Sequence, residues 1–368
     1  MTLIRKLVVS AALAGLTTAA SAYPFDGLYI FGDSLSDAGN NALVIGTDGA
    51  QPITNSYIPS QPYGPPQGLG QYTNGNVWAY SFASAIGLGA YAAPSLAGGG
   101  NYAFGGARTK VDGSMGGFPP SLKTQASGYL QSTGGTASAS ALYVVAGGGN
   151  DARDALEAVA ADPGNAVSII AAAAVSYAFN TGRIVDSLQA AGAQHIVVWD
   201  VPNLGIAPAV NAEGSFASLL GNLVSKTMSN LLASRMSGEA GVTLFDLYAL
   251  SSDWVANPDA YGFANVTDAC GGIVGCDPST YAFWDGIHPT SAGHALIPTS
   301  AFSIGASPVA AAARAGNMPL AATARAAADV PRNKRLVIEP ICSVPFCVHA
   351  ARRPPLRHVG RSVGAPEP

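Results

Sequence analysis

Short apolar runs at residues 28–31, 141–146, 195–201 and 242–247 predict four strands. Residues 165–191, closed by Gly192, carry the pattern of one long helix and residues 216–236 that of a second. A last helix is expected after Pro289. Strand–helix alternation at this spacing predicts a mainly parallel sheet with helices on both faces, a three-layer α/β/α sandwich. Residues 45–78 follow neither period. Rich in Gly, Pro, Asn and Gln, they read as a long surface loop near the functional site. Beyond residue 305, Ala runs and basic Pro-containing stretches sustain no period. They read as a disordered extension, with a basic anchor or interaction tail as the alternative.

The start of the chain adds a destination. Arg5 and Lys6, the apolar stretch 7–20 and the small residues Ala20-Ser21-Ala22 have the layout of a secretory signal, so export is expected. No later segment is expected to sustain the roughly 18 apolar residues of a bilayer span. Ser168 and Ser176 interrupt the run at 167–179, which reads as a core helix. Hydrophobic residues make up 48% and charged residues 11% of the chain, enough for a large core and too apolar for wholesale disorder. Charge is unevenly divided. Residues 1–305 hold nine basic and nineteen acidic side chains, residues 306–368 nine and three. An acidic body argues against nucleic acid as a partner. The four cysteines fall into two local pairs, Cys270/Cys276 and Cys342/Cys347. In an oxidising compartment Cys270–Cys276 is expected to form a small-loop disulfide. A zinc site is the weaker alternative, because no histidine stands at ligand spacing beside these cysteines.

Candidate chemistry begins at Phe31-Gly32-Asp33-Ser34-Leu35-Ser36-Asp37, directly after the first strand. A serine there sits on a tight turn at the sheet edge where α/β proteins take ligands. Its hydroxyl needs a base. Phe283-Trp284-Asp285-Gly286-Ile287-His288-Pro289-Thr290 offers one, with a carboxylate three residues away to orient the imidazole. Acyl transfer also needs donors aimed at a developing oxyanion. Two Gly/Asn-rich segments qualify, Asn101-Tyr102-Ala103-Phe104-Gly105-Gly106-Ala107 and Gly147-Gly148-Gly149-Asn150-Asp151. The second follows a strand, which would put Asn150 at the same sheet edge as Ser34.

Each block alone is also a common turn, but their combination and order resemble the GDSL (SGNH) hydrolase family over roughly residues 29–294. Tyr72-Thr73-Asn74-Gly75-Asn76-Val77-Trp78 and Asp200-Val201-Pro202-Asn203-Leu204-Gly205 are similar to two further family blocks. Trp284 before Asp285 is typical of the branch holding plant lipases and exported bacterial esterases, autotransporter esterases among them. The resemblance implies a flavodoxin-like SGNH fold, Ser34 as nucleophile, His288 as general base and acid, and Asp285 as its orienting partner. It implies an oxyanion hole of the Ser34 N–H, the Gly105 N–H and the Asn150 amide, with Gly106 an alternative to Gly105. Where the family's loop usually has Arg this chain has Gln71, which puts substrate contacts in question.

These readings together predict a signal peptide at 1–22, one hydrolase domain at 23–305 and a basic tail at 306–368. The tail lacks the alternating strands of about ten residues that an outer-membrane barrel requires. The expected activity is that of an exported, periplasmic, secreted or cell-surface serine esterase or lipase, working through an acyl-enzyme without cofactor or metal. The expected partner is an ester, including lipid esters, and the expected state a monomer with no transmembrane helix in the mature chain. Lipid acyltransferase or phospholipase activity, or a non-catalytic binding protein on the same fold, are the rival readings.

Overall fold

The four apolar runs assemble into one sheet because each strand is apolar on both sides. The computed structural model describes residues 25–304. Within them β1 (Leu28–Gly32), β2 (Leu142–Ala146), β3 (His195–Trp199) and β4 (Val242–Phe245) pair in that order, all parallel. Gly32 lies opposite Ala146 and Trp199 opposite Phe245, so the strands finish along one edge. On the open side of β1, Ile30 bridges in parallel to Asn101. The chain therefore leaves β1 on one side of the sheet and returns to β2 on the other. The crevice at the C-terminal end of such a reversal is where doubly wound sheets take ligands.

Helices cover both faces. The linking elements, in order, are α1 (Asn40–Ile45), α2 (Trp78–Ala85), α3 (Leu122–Ser132), α4 (Gly149–Ala161), α5 (Ala166–Ala190), α6 (Pro208–Ala212), α7 (Ser215–Met236), α8 (Leu247–Ala256) and α9 (Ser291–Ile304). A short parallel pair, β5 (Asn265–Ala269) and β6 (Tyr281–Phe283), precedes α9. Phe31, Tyr143, Val145, Ile196 and Val198 face α3, α4, α5 and α7, while Leu28, Ile30, Leu142, Val144 and Phe245 face α2, α8 and α9. Burial on both sides is why these strands read as continuous apolar runs rather than alternating ones. The predicted helix at 165–191 is α5, and that at 216–236 is α7.

Two expectations need correction. By length and composition the helical segment 163–190 is apolar enough to cross a membrane. The two serines do not break it, since a hydroxyl is tolerated in a helix that can bond it back to the preceding turn. In the fold α5 packs against α3, α4 and α7, burying Ile170, Ala174, Tyr177, Ile184, Val185 and Leu188. The stretch 46–77 does lack regular helices and strands, but it is not merely a surface loop. It buries Ile53, Tyr63, Tyr72, Gln51, Gln71 and Thr73, and a paired turn ties it together through Tyr63 N–H to Gln71 O (2.9 Å). Gln71 is itself buried, its Oε1 accepting from the Val77 N–H at 2.7 Å, so it holds the loop from inside. The signal segment 1–22, the Cys342/Cys347 pair and the tail 306–368 lie outside the described residues.

Candidate active site

Ser34 stands two residues past β1 on a turn made by Asp33. The Asp33 carbonyl accepts from the N–H groups of Ser36 and Asp37, both at 3.0 Å, and its Oδ1 from the Leu35 N–H at 3.1 Å. Gly32 makes the turn possible. A Cβ there would lie 2.6 Å from the Ala146 carbonyl oxygen of the neighbouring strand.

His288 and Asp285 arrive from the turn between β6 and α9. Asp285 shapes that turn itself, its Oδ1 accepting from the N–H groups of Ile287 (2.8 Å) and His288 (2.7 Å). Its Oδ2 meets His288 Nδ1 at 2.7 Å, and His288 Nε2 lies 2.8 Å from Ser34 Oγ. An imidazole that gives its Nδ1 proton to a carboxylate presents Nε2 as the acceptor for a hydroxyl. The three side chains thus form one continuous hydrogen-bonded line across 254 positions of sequence. Asp285 and His288 are buried, and Ser34 retains 9% exposure at the site's mouth.

Asn150 occupies the first turn of α4, beyond the Gly147-Gly148 turn that ends β2. One hydrogen of its Nδ2 goes to the Ala107 carbonyl at 3.0 Å. Its second hydrogen and the Ser34 N–H have no acceptor among the described residues. Gly105 departs from expectation. Its N–H donates to Asp37 Oδ2 at 2.9 Å, and the Tyr72 ring lies so close that a Cβ would come within 2.2 Å of it. An N–H already given to a carboxylate is not available to an oxyanion. The Gly106 N–H has no acceptor among the described residues, and its φ of 80° turns the chain as a glycine allows. Gly106 therefore replaces Gly105 as the candidate donor.

Buried charge surrounds the serine. Burial pushes the Asp33 carboxyl up to about 6, against the opposing pull of the Leu35 N–H and of His288. Burial likewise raises Asp37 to about 6, although the N–H groups of Gly105, Gly39, Asn41 and Asn40 all favour its ionised form. Asp37 thus organises the loop after the nucleophile. His294, one turn into α9, is buried and neither ring nitrogen has a partner among the described residues.

Sequence reasoning missed two aromatic residues. Tyr72 lays its ring 5.4 Å from the His288 imidazole, tilted by 35°, and accepts from Asn41 Nδ2 at 2.6 Å. Tyr63 donates its hydroxyl to Asp285 Oδ2 at 2.9 Å. Tyr72 sits in a block already singled out, whereas nothing local marks Tyr63. Cys270 and Cys276 are joined as a disulfide, and the Gly271 N–H inside that loop bonds the Trp284 carbonyl at 2.9 Å. Beside the serine lies a small apolar recess of about 40 Å³, partly open to solvent, lined by Leu35, Ile206, Leu247, Trp254, Ile287 and Ile297 among others.

Residues 28–298 match the model of the GDSL-like Lipase/Acylhydrolase family. The chain belongs to that family. Similar proteins include Esterase EstA of Pseudomonas aeruginosa, 31% identical over 83% of this chain and 51% of its own length. A GDSL esterase/lipase of Arabidopsis thaliana is 26% identical over 73% of this chain and 84% of its own. A phospholipase A1 structure from Streptomyces albidoflavus aligns with 76% of this chain and 98% of its own, at 15% identity and a TM-score of 0.40. The chain spans about half the length of the first bacterial relatives it matches.

Proposed function

We propose that this chain is an exported esterase that hydrolyses carboxylic esters with an apolar acyl group through an acyl-enzyme on Ser34. The observation that carries the reading is the unbroken line Ser34 Oγ–His288 Nε2, His288 Nδ1–Asp285 Oδ2 at 2.8 and 2.7 Å. His288 takes the Ser34 proton as Oγ attacks the ester carbonyl, and Asp285 stabilises the imidazolium that forms. The oxyanion is met by the N–H groups of Ser34 and Gly106 and by Asn150 Nδ2. His288 then protonates the departing alcohol, and water repeats the sequence to release the acid. The recess walled by Leu35 and Ile287, the sequence neighbours of Ser34 and His288, takes the acyl chain. Export is supported by the signal-like start and by a disulfide that needs an oxidising compartment.

The test is hydrolysis of p-nitrophenyl esters of increasing acyl length. Ser34→Ala and His288→Ala should each lower kcat by at least about 10³ with the fold intact, and the double variant should be little worse. Asn150→Ala should cost about 10²–10³ in kcat. Losses that multiply in the double variant, or Ser34→Ala retaining turnover, would exclude this mechanism. A rate that does not rise with acyl length over the shorter chains would remove the recess from it.

A further inference from the structure

We propose that Tyr63 is a positioning residue of the same relay, holding the Asp285 carboxylate aimed at His288. The proposal rests on the catalytic reading above. Asp285 has no exposed surface, so its oxygens must take their hydrogen bonds from the protein. Four donors supply them. Two backbone N–H groups occupy Oδ1, while Oδ2 is shared between His288 Nδ1 and the Tyr63 hydroxyl at 2.9 Å. An ionised carboxylate has about four lone-pair sites, so the set is complete only with Tyr63. Without that hydroxyl, Oδ2 would be held by the histidine alone and free to swing with it.

The tyrosine is fixed from behind. Its N–H and carbonyl bond Gln71 O (2.9 Å) and the Gly70 N–H (2.8 Å), and its ring stands edge-on to Trp284 at 6.2 Å. The same loop grips the rest of the turn that carries Asp285 and His288. Tyr57 O accepts from the Gly286 N–H (3.1 Å), Thr73 Oγ1 donates to Pro289 O (2.9 Å), and Asn74 Oδ1 accepts from the Ser291 N–H (2.8 Å). Tyr63 is the contact through which this clamp reaches the charged atom. Burial and the Asp285 charge push the Tyr63 hydroxyl far above its ordinary range, which keeps it a donor. The other titratable groups facing this relay are Tyr57 and Tyr72 from the loop, Asp33 from the β1 turn and His294 from α9.

Tyr63→Phe in the full chain removes one O–H and keeps the ring against Trp284. KM for a p-nitrophenyl ester should stay within about twofold and kcat should fall about tenfold, the effect of one hydrogen bond to a charged group. The acid limb of kcat/KM, which reports His288 in the free enzyme, should move to higher pH. The carboxylate, short of one donor, would hold the imidazolium proton more tightly. The His288 Nδ1 proton resonance should move further downfield for the same reason. Unchanged kcat and an unchanged acid limb would overturn the proposal. So would a fall in kcat with limb and resonance both unmoved, since mere packing would do that. Hydrolysis surviving in Ser34→Ala would instead overturn the catalytic reading beneath both, and the resonance, which needs no turnover, tells the two failures apart.

Discussion

Partners, not burial, separate the fates of two histidines six residues apart. His288 has a carboxylate on one nitrogen and a hydroxyl on the other. His294 is 1% exposed and has neither, and burial together with neighbouring His288 pushes its pKa down to about 3. A depressed basic group contributes stability that is present above its unfolded value of 6.5 and lost as pH falls towards 3. Asp33 and Asp37, raised to about 6, act in the opposite sense, favouring the folded state below about pH 4 and losing that contribution as pH rises through 6. The net acid profile therefore does not isolate any one of them. A difference does. His294→Leu should gain stability relative to the parent by roughly 3 kcal/mol on going from pH 7 to pH 4, read by urea unfolding at both pH values. A difference independent of pH would mean that His294 is not held neutral. At this scale the sequence is legible where chemistry is local: Asp285 and His288 share one turn, and Ser34 follows a strand. Tyr63 is not legible, because its contact with Asp285 spans 222 positions and starts from a loop without period.

Elements follow the same rule of range. The strands are legible because they are apolar on both faces, and α5 and α7 because they are long. α3 and α4 escaped, and α4 begins at Gly149 with no side-chain cap to mark it. At α8 the cue is Asp246. Asp246 caps it by accepting from the Ala249 N–H at 2.7 Å, so the predicted strand at 242–247 runs two residues too far. The disulfide loop shows what a small element contributes. Cys270–Cys276 holds Gly271 against the Trp284 carbonyl, and the Trp284 N–H bonds the His288 carbonyl at 2.8 Å. The cross-link thus supports the catalytic turn together with Tyr63's loop, since Ile53 and Tyr63 pack with Ala269 and Trp284. Replacing both cysteines by serine should lower stability by about 2 kcal/mol, the value for closing so short a loop. At 25 °C kcat should stay within about threefold, because Asp285 keeps its own four donors. Urea midpoints with and without reducing agent check this. A double variant that unfolds with the parent would show that the bridge constrains nothing.

Across the whole molecule, the line of chemistry runs from the first strand to the last helix, so both ends of the fold must be present for the site to exist. Ser34 follows β1, whereas His288 leads into α9. α9 is more than a trailing helix. It packs on α2, and Ile297 is buried with Trp78, Phe82 and Phe283 in the cluster behind the sheet. The family match ends at residue 298, within this helix. Every residue assigned here to chemistry or to its support lies between Gly32 and Ile297, on the acidic side of the charge division. We therefore propose that residues 305–368 are dispensable for hydrolysis. A chain ending after Ile304 should unfold cooperatively at the parent's midpoint and keep its ester turnover within about twofold, since every residue assigned to the site and Ile297 behind it are kept. A chain ending after Thr290 should fail both tests. It loses Ile297, and a buried Ile removed outright costs about 2–5 kcal/mol, a large share of a domain's stability. Thermal unfolding and p-nitrophenyl ester hydrolysis on the two truncations distinguish the cases. Turnover lost in a cooperatively folded 1–304 chain would place part of the active site beyond residue 304 and refute the boundary.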